Sequence, residues 1–153
     1  MLPALLDLSR IRLIHHRHGA LRLLLTPGGI TQLRELFDKD SFWAGDRSPQ
    51  QLRRMLRGSD AVVSAWDGHQ LVGFGRATSD GVFRAVLWDV VVASSHQGRG
   101  LGRQVVESLL EAQQIKQAER VYLMTTNSSG FYKQLGFNGI KTQKLMLRTN
   151  LQV

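Results

Sequence analysis

Apolar residues along the chain change their spacing several times, and each change predicts an element. Residues 21–25 form a continuous apolar-rich run closed by Thr26-Pro27-Gly28-Gly29, which predicts a first strand and a turn. Leu33, Leu36 and Phe37, then Leu52, Met55 and Leu56, fall at helical spacing and predict helices over 31–38 and 48–57. Ser48 before Pro49 supplies a cap and a proline at the first helical position. Three apolar runs follow, 61–66, 71–78 and 83–93, divided by Asp67-Gly68 and Asp80-Gly81. Asp-Gly between apolar runs is a hairpin signal, so these predict three antiparallel strands in a meander.

The period then lengthens. Leu101, Val105, Leu109 and Ala112, with Val106 and Leu110 beside them, predict an amphipathic helix reaching about residue 114. Residues 121–125 return to strand character, and strand, helix, strand in this order implies a parallel pair with a crossover. Residues 130–135 predict a short helix ended by Gly136, and 144–148 a last strand. The whole predicts an α/β fold on a mixed sheet flanked by helices: one domain over residues 19–153 behind a basic N-terminal arm, residues 1–18.

Composition narrows the chemistry. A chain of 153 residues with 42% apolar positions fits a single core. The net charge of +8 suits nucleic acid, an acidic surface or a small ligand carrying several phosphates. Arg10, Arg12, His15, His16, Arg17, His18 and Arg22 lie close together, expected as solvated arm, with nucleic-acid contact as the alternative. No apolar stretch approaches the roughly 20 residues that span a bilayer, so a cytoplasmic protein without membrane contact is expected. The absence of cysteine excludes disulfides, thiolate metal sites and an enzyme-thiol intermediate. The histidines near the start do not make a metal site, since adjacent histidines do not easily share an ion; no metal is expected. His96 is expected at the surface.

Between the third meander strand and the amphipathic helix stands Gln97-Gly98-Arg99-Gly100-Leu101-Gly102-Arg103. Glycines allow positive φ and close backbone approach, and the free N–H groups of a helix's first turn favour an anion, so this is a candidate phosphate seat. The nucleoside-triphosphate pattern requires Gly-Lys followed by Ser or Thr, which the chain lacks. The dinucleotide pattern requires a sixth-position glycine where Arg103 stands.

What the turn does match is Gln-x-x-Gly-x-Gly, as Gln97, Gly100 and Gly102, and this resembles the pyrophosphate turn of the GCN5-related N-acetyltransferase (GNAT) family. The resemblance covers about residues 71–137. It includes the strand Trp88-Asp89-Val90-Val91-Val92, Asn127, and Phe131-Tyr132-Lys133-Gln134-Leu135-Gly136-Phe137, which is similar to the family's closing Tyr-x-x-x-Gly-Phe. In detail these segments resemble the plastid and cyanobacterial branch that includes serotonin N-acetyltransferases.

The resemblance implies acetyl-CoA as co-substrate, held by the backbone of Val90, Val91 and Val92 as if by a neighbouring strand, and by the turn from Gln97 through Gly98, Arg99, Gly100, Leu101 and Gly102 to Arg103. It implies that Tyr132 protonates the departing thiolate and that Asn127 meets the pantetheine arm. Arg99 and Arg103 are candidates to pair with phosphates. An ammonium of pKa about 10.4 must lose its proton before attack, and Asp89, a carboxylate in an apolar strand, is the candidate base, with a buried structural aspartate as the alternative, in which case the base is a water or lies elsewhere. Trp88, Phe42 and Trp43 are candidates for an aromatic acceptor site. The expected activity is acetyl transfer to a primary amine, an arylalkylamine such as serotonin foremost. A peptide lysine or N-terminal amine is the in-class alternative, and a regulatory or RNA-associated module the alternative of another class. A homodimer is expected from the resemblance alone.

Overall fold

The computed structural model describes residues 8–16, 23 and 26–150. Among these residues five strands form one sheet in the order β1-β2-β3-β4-β5, with β1 Ile11–His16, β2 Ala61–Asp67, β3 Gln70–Ser79, β4 Arg84–Val92 and β5 Arg120–Tyr122. The first four are antiparallel neighbours and β5 joins β4 in parallel, so the mixed sheet matches expectation. Around it lie α1 Gly29–Asp40, α2 Pro49–Arg57, α3 Leu101–Glu111, α4 Gln113–Lys116 and α5 Ser129–Gln134. None of the described helices is long and apolar enough to cross a membrane.

The local signals account for most elements. Ser48 accepts from the N–H of Gln51 while the Gln51 side chain accepts from the N–H of Ser48, a capping box that starts α2 on Pro49. Phe37 of α1 meets Phe74 of β3 edge to face at 5.4 Å, fixing α1 on one side of the sheet. Side chains alternate along a strand, so Gly73 and Gly75 point to the other side, where α3 lies. A Cβ on Gly75 would stand 2.8 Å from Val105 Cγ1 and 2.9 Å from Leu109 Cδ1, so the missing side chain sets how closely α3 approaches. The helical run expected to residue 114 breaks at Ala112, which is extended and restarts the chain as α4.

Four expectations are corrected. Residues Ile11–His16, expected in a basic arm, form β1, paired with β2 from Ile11 opposite Asp67 to His16 opposite Val62. Their exposed Arg12 and His15 hid the strand pattern; an edge strand tolerates charge, and His16 is buried with its Nε2 2.7 Å from Ser64 Oγ. The strand expected over 144–148 is absent, and Leu145, Met146 and Leu147 are exposed there. The strand expected over 121–125 is observed as the shorter β5, Arg120–Tyr122. His96 is buried, with Nε2 3.0 Å from Asp67 Oδ2 and Nδ1 2.7 Å from Ser95 Oγ, tying the turn after β4 to the end of β2. The first strand expected over 21–25 lies outside the described residues except for Leu23, which is helical and fully buried.

Gly75→Ala tests the close approach of α3. Overpacking against Val105 and Leu109 is expected to cost about 1–3 kcal/mol, read as a lower urea midpoint by circular dichroism. An unchanged midpoint would mean that α3 can retreat freely.

Candidate active site

The site begins with a strand that loses its neighbour. β5 pairs with β4 only from Arg84 opposite Arg120 to Val86 opposite Tyr122. Beyond that, residues 87–92 of β4 present an edge that no described strand covers, and the chain after β5 diverges before returning in α5. Two cavities open along this edge. One of about 410 Å³ is walled by Trp88, Asp89, Phe42, Trp43, Leu123 and Tyr132, and one of about 660 Å³ follows Val90, Val91 and Val92 to the glycine turn. A third, of about 710 Å³, continues past Trp88 and Tyr132 toward Lys133 and Lys144.

The wall between the first two is shaped by a β-bulge. Phe74 opposes Val91 and Arg76 opposes Trp88, so Gly75 alone faces both Asp89 and Val90. Asp89 takes φ 53°, a left-handed conformation uncommon for a residue with a side chain. The bulge breaks the strand's alternation, so that Trp88 and Asp89 both reach Arg76, whose guanidinium lies 5.8 Å from the Trp88 ring centroid and 2.8 Å from Asp89 Oδ2.

Asp89 is the most heavily bonded side chain of the site. Oδ1 accepts from Trp43 Nε1 at 3.0 Å and from Arg47 at 3.2 Å, and Oδ2 accepts from Arg47 at 3.0 Å and Arg76 at 2.8 Å. Its side chain is only 4% exposed, against 29% for Arg47 and 16% for Arg76. Burial opposes ionisation, but hydrogen bonds and charge from Arg47 and Arg76 together outweigh it and hold the carboxyl below its ordinary range. A carboxylate so held is a weak proton acceptor. The geometry supports an anchor that ties the loop after α1 to the bulge, rather than the base expected at this position.

The glycine turn has the form of an anion seat. Gly98 and Gly100 take φ 76° and 86°, and a Cβ on either would meet nothing within 4 Å, so their backbone is open to a ligand. Gly100 caps α3 without a side-chain hydrogen bond, leaving the first-turn N–H groups available to an anion. Gln97 donates through Nε2 to the carbonyl of Val92 at 2.9 Å and so closes the turn onto the end of β4. Leu101 points into the core, and Arg103 borders the groove while paired with Glu107 at 2.8 Å. Arg99 is half-buried and does not border the groove.

Tyr132 on α5 borders all three cavities, its ring edge-to-face with Phe131 at 4.9 Å and Phe137 at 5.9 Å. Burial raises its pKa, so its O–H remains a donor at neutral pH. Asn127 borders both the small cavity and the groove. Phe42 and Trp43 meet edge to face at 5.0 Å with much of their surface exposed, and Trp88 donates to Thr78 Oγ1 at 2.9 Å. Sequence reading missed Arg47 and Arg76. The available signal was Asp89 itself, since a carboxylate in an apolar strand demands cationic partners, and Arg76 is the lone charge within apolar β3.

The groove suits a ligand with an extended amide-bearing arm and a polyphosphate, since an open strand edge runs directly into an uncapped helix N-terminus. The acetyltransferase (GNAT) family model matches residues 30–137. The Oryza sativa subsp. japonica protein named serotonin N-acetyltransferase 2, chloroplastic, is 38% identical over 126 residues, 79% of this chain and 62% of that one. The Arabidopsis thaliana protein named GCN5-related N-acetyltransferase 1, chloroplastic, is 48% identical over 75 residues, 46% of this chain and 38% of that one. The chain thus spans less than two thirds of either curated relative. A solved GNAT-family structure from Xanthomonas campestris pv. campestris superposes with a TM-score of 0.73 at 26% identity, covering 92% of this chain and 93% of its own.

Asp89→Asn tests the anchor. Because the folded pKa lies below the ordinary 3.8, the ionised carboxylate stabilises the fold above that pH, and the contribution is lost as pH falls through the folded value. Removing the charge leaves two partly buried guanidinium groups without their anion, so a loss of about 3 kcal/mol is expected in urea denaturation at neutral pH. The gap to wild type should persist down to about pH 4 and close below it. A gap closing between about pH 5 and 7 would instead reveal a raised, base-like pKa.

Proposed function

The chain belongs to the acetyltransferase (GNAT) family, and on that premise we propose that it transfers acetyl from acetyl-CoA to a primary amine, an arylalkylamine such as serotonin foremost. The observation that carries this reading is the meeting of the open β4 edge and an aromatic-walled cavity at Tyr132. Acetyl-CoA, when bound, supplies the acetyl group as a thioester. The backbone of Val90, Val91 and Val92 would hold its pantetheine arm by strand-like pairing, and an N–H of this edge would stabilise charge on the thioester oxygen. The N–H groups of the turn closed by Gln97, with Gly98, Gly100 and Gly102, would seat the pyrophosphate, and Arg103 would pair with phosphate oxygens. Asn127 stands where the arm would pass from groove to cavity.

Phe42, Trp43 and Trp88 offer aromatic faces for the acceptor. Tyr132 is the proposed acid, because its neutral phenol borders the junction of the cavities where the thiolate would depart. Asp89 is assigned a positioning role. The cytoplasm is kept as the proposed location, while the rice and Arabidopsis relatives carry the word chloroplastic in their names.

The test is coenzyme A release across a panel of arylalkylamines, other amines and peptides. Release is expected with the arylalkylamines, and Tyr132→Phe should lower kcat by about 10²–10⁴ with little change in the KM for acetyl-CoA. Release with peptides alone would move the acceptor to proteins. Tight acetyl-CoA binding without release to any acceptor would contradict catalysis.

A further inference from the structure

We propose that this site takes its acceptor as the uncharged amine, with no protein group removing the ammonium proton before attack, and discriminates against amines that carry a second cation. The inference deepens the acetyl-transfer reading and rests on it. Asp89 is the only carboxylate among the described residues that wall the amine cavity. Both of its oxygens are engaged by Arg47, Arg76 and Trp43, so it offers little to an incoming ammonium. Two guanidinium groups on one carboxylate leave one positive charge in excess, and their other contacts among the described residues are neutral. Arg47 lies 5.3 Å from the Phe37 ring centroid and 3.4 Å from Met55 sulfur, and Arg76 reaches Ser59 Oγ at 3.5 Å and the face of Trp88.

The surrounding elements do not reverse this sign. Among the described residues, the adjoining cavity adds Lys133 and Lys144 and no acid. On the cofactor side stand Asp40, whose Oδ1 accepts from the N–H of Ser94 at 3.2 Å, and Arg103, paired with Glu107. Tyr132 is a neutral phenol. Neither the Arg47 nor the Arg76 guanidinium lines the amine cavity; their excess charge acts from behind Asp89 and Trp88, so an ammonium entering between Trp88 and Tyr132 would lose hydration beside Leu123 and the aromatic rings within the field of like charge, and both effects favour its neutral form. The neutral amine is the nucleophile, so the surroundings that reject the ammonium select the reactive species. Its nitrogen lone pair forms the new C–N bond as the C–S bond breaks; of its two N–H protons one stays on the amide and the other replaces, directly or through water, the proton that Tyr132 gives to sulfur.

The test uses the wild-type protein and three acceptors of one skeleton: 2-phenylethylamine, its β,β-difluoro derivative with a much lower ammonium pKa, and its para-aminomethyl derivative, a dication. Below the acceptor's own pKa, kcat/KM should rise about tenfold per pH unit, and the limb should move down with the fluorinated amine. The dication should be acetylated at least about tenfold less efficiently than 2-phenylethylamine at neutral pH. A limb at the same pH for both monoamines would reveal an ionising protein group and overturn the proposal. Equal use of the dication would overturn it as well. Absence of coenzyme A release with every acceptor would instead overturn the acetyl-transfer reading beneath it.

Discussion

One buried carboxylate held between two guanidinium groups organises the site. Asp89 reaches Arg47 from the loop between α1 and α2, and Arg76 from β3, so a single anion joins three parts of the chain. Such a cluster gives little net stability over an apolar alternative, but removing one member leaves charge stranded in a poorly hydrated place. Its value lies in geometry. Asp89 takes positive φ at the bulge, which turns Trp88 and Asp89 to the same region, Arg76 and Arg47 pair with it there, and Trp43 follows through its indole N–H. The aromatic wall and the proposed cofactor edge consequently meet at one cluster.

A second constraint is the shortness of β5. An uncovered strand edge is normally a liability, because it invites pairing with another chain. Here the bare edge lies in a cleft, with Tyr132 and Phe131 opposite Val90 and Val92, and it runs into an uncapped helix start. Gly73 and Gly75 bring α3 close to the sheet, and that approach places the glycine turn at the end of the edge. His96 on Asp67 and Gln97 on the Val92 carbonyl fasten the turn from both sides. Backbone groups therefore make the proposed cofactor seat, while side chains make the proposed acceptor wall.

This division explains what was legible in the sequence. The meander, the amphipathic helix and the glycine turn are local patterns, and local patterns carry their own evidence: Asp67-Gly68 and Asp80-Gly81 mark turns whatever lies beyond them. β1 was not legible, because Arg12 and His15 occupy its exposed positions and read as part of a charge run. The residues at 144–148 carried strand character, yet a strand needs a partner edge and β5 ends at Tyr122. Asp89 was recognised as chemically important, but its role depended on Arg47 and Arg76, 42 and 13 positions away in the chain. A carboxylate in an apolar strand is consistent with a base or with a buried structural group; the partners supplied by the fold favour an anchor.

The most direct test of the account is a crystal structure with coenzyme A and a non-reactive arylalkyl ligand. The account predicts the pantetheine amides paired with the backbone of Val90 to Val92, the pyrophosphate on the N–H groups after Gly98, and the aromatic group beside Trp88. Asp89 would remain bonded to Arg47, Arg76 and Trp43. A coenzyme bound away from the β4 edge, or an Asp89 carboxylate released from both arginines and turned onto the amine, would contradict it.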